Sequence, residues 1–74
     1  MKYITIERSE DLERARTRIK SNLGSLSYFY SIEPPQELMG SSKILILRSR
    51  KDGEICAKID GPGFIINELY KEFR

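Results

Sequence analysis

The residues best suited to chemistry in this 74-residue chain lie in a few short stretches. Arg48, Arg50 and Lys51 stand just before Asp52-Gly53, a dipeptide that turns hairpins. A protruding β-ribbon with two arginines at its tip can enter a groove or follow a phosphate backbone. Asp52 and Glu54 dilute that charge, and charged hairpin tips also protect strands against edge pairing. A second basic run, Arg14, Arg16, Arg18 and Lys20, falls in a helical pattern of about 3.6 residues per turn. Arg14 and Arg18 then point outward, while Arg16 and Lys20 flank the apolar stripe. Glu10 lies one turn before Arg14, and Glu13 precedes Arg16 at ion-pair spacing. The plain reading is a solvated face laced with weak ion pairs.

Tyr28-Phe29-Tyr30 offers aromatic rings that can stack on bases. On a strand only Tyr28 and Tyr30 share a face. No glycine-rich aromatic signature of an RNA-recognition motif accompanies them, so packing at the core and its rim is the stronger expectation. Asp60-Gly61-Pro62-Gly63-Phe64 opens a helix with flexible backbone, and free amides at a helix start can hold a phosphate or carboxylate. The segment is neither a dinucleotide fingerprint nor a P-loop, and a tight strand-to-helix turn is the stronger reading. Cys56 has Lys58 two residues on but no histidine to serve as its base, so it reads as structural.

The absences bound the rest. The chain has no histidine, no tryptophan and one cysteine. It therefore lacks the commonest general base and metal ligand, and it cannot form an internal disulfide. The carboxylates show no paired spacing for acid–base work and no all-oxygen metal cluster, so no catalytic residue, cofactor or metal is expected. Thirteen basic and eleven acidic side chains leave a net charge of +2, which permits a nucleic-acid partner without demanding one. With 39% apolar and 32% charged residues, the composition is that of one small globular domain spanning residues 1–74. No stretch approaches the roughly 18 apolar residues of a membrane span. The opening residues do not read as a signal peptide, and a cytoplasmic location is expected.

The elements that must position these residues follow from periodicity. Residues 2–7 alternate, with Ile4 and Ile6 on one face of a strand. Ser9 sits at a helix N-cap position, and Leu12, Ala15, Ile19, Leu23 and Leu26 recur at helical spacing, giving a helix over about 10–23 that Asn22 and Gly24 stop. Residues 27–32 read as an aromatic strand ended by Glu33-Pro34-Pro35. Residues 36–42 form a loop or a single turn, and 43–48 form a continuous apolar strand. Residues 54–60 make a fourth strand with Ile55, Ala57 and Ile59 inward. Phe64 to Phe73 make a closing helix through Ile65, Ile66, Leu69 and Phe73. The expected fold class is α+β: a two-layer β-α-β-β-β-α domain, with two helices packed on one face of a four-stranded, mostly antiparallel sheet.

Two helices cannot cover both faces of that sheet, and the third strand carries more aliphatics than one face needs. A three-residue hairpin turn sends Ile44 and Ile46 to the far face, and a two-residue turn sends Leu45 and Leu47 there. Either Leu38 and Met39 fold over that surplus, or it is an exposed patch rimmed by tyrosines. The leading functional expectation is a small non-enzymatic protein-binding module. Its sharpest form is a phage- or plasmid-type inhibitor or regulator that occupies a surface of a larger host complex, such as a defence nuclease. Tyr28, Tyr30, Ile44, Ile46, Arg48 and Arg50 would make the contact. The alternative is a nucleic-acid-binding protein using Arg16, Lys20, Arg48, Arg50 and Lys51. A second alternative is a binder of a small anion at Gly61–Phe64. A homodimer through the uncovered sheet face would use the same surplus, and no membrane partner is expected.

Overall fold

The structure is a computed structural model that describes residues 1–73. Its elements run β1 (Lys2–Thr5), α1 (Leu12–Leu23), α2 (Leu26–Phe29), β2 (Tyr30–Ile32), β3 (Gln36–Glu37), β4 (Ser42–Ser49), β5 (Ile55–Pro62) and α3 (Gly63–Phe73). The fold is α+β, with a five-stranded sheet in the order β1-β5-β4-β2; β3 pairs with the other half of the β4 edge. Only the β1–β5 pairing is parallel. None of the described helices is long and apolar enough to cross a membrane.

One apolar cluster joins the sheet to α1 and α3. Ile4, Ile6, Leu45, Leu47, Ala57 and Ile59 come from the strands; Ala15, Ile19 and Leu23 from α1; Ile65, Ile66, Leu69 and Phe73 from α3. Both helical stripes therefore bury the residues their spacing implies. The first helix begins later than Ser9 suggests. Asp11 is the N-cap, its carboxylate accepting from the Arg14 amide at 2.8 Å. Gly24, at φ 75°, ends the helix as its amide donates to the Lys20 carbonyl at 2.9 Å.

The β4–β5 hairpin settles which aliphatics face the helices. The Ser49 amide donates to the Glu54 carbonyl at 2.9 Å, closing a loop over 50–53. An even loop by itself would set Ile46 opposite Ala57 and turn Leu45 and Leu47 outward. Cys56 is instead an extra residue between the pairs Arg48–Ile55 and Leu47–Ala57, a β-bulge that restores the odd parity. Leu45 and Leu47 thus pair with Ile59 and Ala57 in the core, and Ile44 and Ile46 take the far face with Asp60 and Lys58. Ile55 lies beyond the bulge, opposite Arg48, and is exposed rather than inward.

Two further segments differ from expectation. The 27–32 stretch is not one strand, because Leu26 continues the stripe of α1 into the core and is 2% exposed. Docking that leucine requires a helical turn over 26–29, closed by the Phe29 amide on the Ser25 carbonyl at 3.2 Å. The β preference of the aromatic triplet yields to that burial. Tyr28 therefore shares no strand face with Tyr30. Residues 36–37 add a short strand in place of a loop; Met39 is 93% exposed and covers nothing, while Leu38 is 41% exposed.

Candidate functional site

A groove opens between α2 and the β4–β5 hairpin, lined by Tyr28, Phe29, Tyr30, Ser49, Arg50, Lys51 and Cys56. Several local facts place these residues. The turn of α2 lifts Tyr28 and Phe29 out of the sheet plane, and they stay 74% and 53% exposed. Their rings meet edge to face at 4.9 Å between centroids. Phe29 continues the contact to Tyr30 at 6.3 Å, and its ring lies over Gly24, where an added Cβ would come within 3.5 Å of it. Tyr30 pairs with Ser49 and packs against the core, which fixes the groove wall. The Arg50 amide donates to the Phe29 carbonyl at 3.3 Å, and its Nε donates to the Ser27 carbonyl at 3.2 Å. Arg50 is thereby tied to both ends of the aromatic turn. The bulge turns Cys56 toward the groove, with its thiol 3.5 Å from the Leu47 carbonyl.

The structure brings Tyr28, Tyr30, Arg50 and Lys51 together and separates the other candidate residues from them. Strand alternation sends Arg48 to the far sheet face, where its Nε meets Glu33 at 2.5 Å and Nη1 donates to the Gly53 carbonyl at 3.0 Å. Ile44 lies on that face yet is 9% exposed, and Ile46 is half-buried, so they form a narrow strip rather than an open patch. Arg16 is held bidentately by Glu72 at 2.7 and 3.0 Å, an ion pair that ties α1 to α3 and raises the Arg16 pKa further. Lys20 lies along a separate hollow with Gly24, Ser25 and Glu72, on the other side of α2. At the β5–α3 junction the Gly63 amide already donates to the Ser41 carbonyl at 2.8 Å. A Cβ at Gly63 would lie 2.6 Å from that carbonyl oxygen, and one at Gly61 would lie 2.8 Å from the Ile6 Cβ. Close packing accounts for both glycines.

Two other polar sites deserve comparison. A hollow along α1 is lined by Glu7, Glu10, Glu13, Arg14 and Arg18. There Arg18 is consumed by the Glu10 carboxylate and the Thr5 carbonyl. On the far sheet face the Tyr3 hydroxyl donates to Asp60 Oδ2 at 3.2 Å, while Asp60 Oδ1 is buried without a partner. Partial desolvation, then the Asp60 charge and this hydrogen bond, hold the Tyr3 phenol above its ordinary pKa. Among the described residues no three His, Cys, Asp or Glu side chains gather as metal ligands do.

Phe29, Ser49 and Cys56 are the groove residues that sequence reasoning missed. The signal that finds Phe29 is the Gly24 stop followed by Leu26 at stripe spacing, which marks a second helical turn. No protein-family model, curated protein or solved structure matches the chain.

Proposed function

We propose that this chain is a small non-enzymatic protein-binding module whose contact surface is the groove between α2 and the β4–β5 hairpin. The observation that carries the reading is the exposure of Tyr28 and Phe29 beside an arginine fixed by backbone carbonyls. The apolar cluster of the fold is assembled without either ring. Aromatic side chains and arginine are the types that dominate the centres of protein interfaces. A ring held in place by a helical turn also loses little side-chain freedom when a partner covers it. An inhibitor or regulator occupying a larger complex is the form this module takes if its partner is an assembly. The narrow strip of Ile44 and Ile46 is not part of the surface in this reading.

Direct nucleic-acid binding has less support. Of its five cations, Arg16 and Arg48 are engaged by Glu72 and Glu33. The remaining charge at the hairpin is flanked by Asp52 and Glu54.

The test is affinity capture from nuclease-treated lysate with the wild-type chain and with Tyr28→Ala/Phe29→Ala, both checked for folding by circular dichroism. The expected result is a specific protein band retained by the wild type and lost by the double variant. Equal capture by both would remove the groove from the reading.

A further inference from the structure

The charges around the groove say what kind of segment it accepts. Among the described residues Arg16, Arg18, Arg48 and Lys71 have carboxylate partners, while the other cations, Arg50 and Lys51 of the groove included, have none. Among the described residues Arg50 has a side-chain partner only at Nε, the Ser27 carbonyl, which leaves its Nη1 and Nη2 fork open, and no hydrogen bond or ion pair engages the Lys51 ammonium. No carboxylate lines the groove, whose other walls are the Tyr28, Phe29 and Tyr30 rings and the Cys56 thiol. A planar guanidinium anchored through Nε presents two parallel N–H donors at the spacing of a carboxylate.

We infer that the groove binds an acidic, apolar protein segment: a carboxylate against the Arg50 fork, with an apolar side chain on the Tyr28 and Phe29 rings. The inference rests on the protein-binding reading and adds the chemistry of the partner. A polyphosphate chain fits less well. Its affinity grows with the number of phosphates neutralised, and here two unpaired cations stand on a hairpin that also carries Asp52 and Glu54. A single carboxylate meets the arginine without meeting those acids. Charge complementarity of this kind chooses among partners of similar apolar content.

Fragments carrying the two required groups test this without knowing the partner. The full chain, labelled with nitrogen-15, is titrated at millimolar concentration with phenylbutyrate, phenylbutanol and phenylbutylamine, which share one apolar body and differ in charge. A short thymidine oligonucleotide is titrated separately. The expected result is shifts of the Tyr28, Phe29, Tyr30, Arg50, Lys51 and Cys56 amides, with phenylbutyrate tightest and the amine weakest. Arg50→Gln should weaken phenylbutyrate about tenfold, the size of a charge-assisted hydrogen bond, and weaken phenylbutanol by much less. Lys51→Gln, at the exposed tip, should weaken it less. Equal binding of the acid and the alcohol would overturn the inference while leaving an apolar docking groove, and so the wider reading, in place. Tighter binding of the oligonucleotide at the same amides, lost on adding salt, would overturn both. If no probe shifts those amides the inference also fails, and the capture experiment then decides the wider reading separately.

Discussion

Gly63 shows how a single missing methyl group holds two segments together. It begins α3, a position where alanine is a better helix former than glycine. Its backbone touches the loop before β4, with the Ser41 oxygen where a Cβ would have to go. A carbonyl fixed by its own hydrogen bond cannot rotate away as a side-chain tip can. Gly63→Ala should therefore cost stability in the range of about 1–3 kcal/mol typical of overpacking. Gly53 is the control: nothing lies within 4 Å of its added Cβ, and only its φ of 75° opposes a side chain. That conformation costs roughly 1–2 kcal/mol in a non-glycine residue. Urea denaturation of both variants should rank Gly63→Ala as the more damaging; the reverse order would refute the close-approach argument. Tyr3 supplies a second prediction at this scale. Its folded pKa lies above the ordinary value near 10, so the folded chain binds the phenolic proton more tightly than the unfolded one. The associated stability is fully present below about pH 10 and is lost as pH rises through the folded pKa. Tyr3→Phe removes it, so the melting-temperature gap between wild type and variant should shrink on going from neutral to alkaline solution.

At the scale of elements, the short α2 turn separates what stabilises the fold from what decorates it. Leu26 is the core residue of the turn, and Tyr28, two positions on, faces solvent. Leu26→Ala should cost about 2–5 kcal/mol, the range for a fully buried leucine. That is a large share of what a domain of this size has to spare. Tyr28→Ala should stay within about 0.5 kcal/mol of wild type, as surface changes do. Thermal unfolding of the pair measures the contrast, and comparable losses would mean that Tyr28 helps to hold the turn. The same segment marks where sequence reading stops. The stripes of α1 and α3 were legible because one face of each helix meets one core and nothing competes. The residues of α2 were not, because three adjacent aromatics favour a strand locally while one leucine's burial favours a turn, and only the assembled core decides. The hairpin is similar. Sequence narrowed the inward set to Leu45 with Leu47 or Ile44 with Ile46, and the bulge at Cys56, which no residue type announces, made the choice. Of the candidate site, Tyr28, Tyr30, Arg50 and Lys51 were legible as types, but their meeting in one groove depends on that turn and that register.

Across the whole molecule, both sheet edges and the open sheet face bear on self-association. On β1 the outer Thr5 carbonyl is occupied by Arg18, and the opposite edge is interrupted between β2 and β3 by Pro34 and Pro35. Such features oppose edge-to-edge pairing. The open face sets Ile44 and Ile46 among Arg48, Lys58 and Asp60, and Ile44 is already buried by its own chain. A standard stable interface needs about 800 Å² from each partner with a dry apolar centre, and the apolar side chains of this face, half-buried Ile46 with the exposed Tyr3 and Ile55, are interleaved with those charges and do not form such a centre. Light scattering after gel filtration should therefore give the mass of one chain at every concentration loaded. Ile46→Lys should leave that mass unchanged, because the substituted residue joins a face already rich in charge. A dimer in the wild type that Ile46→Lys dissolves would instead show that the open face is an interface between copies. The groove would then be the remaining surface for a foreign partner, since Tyr28, Phe29 and Arg50 stand at the hairpin end of the sheet and not on that face.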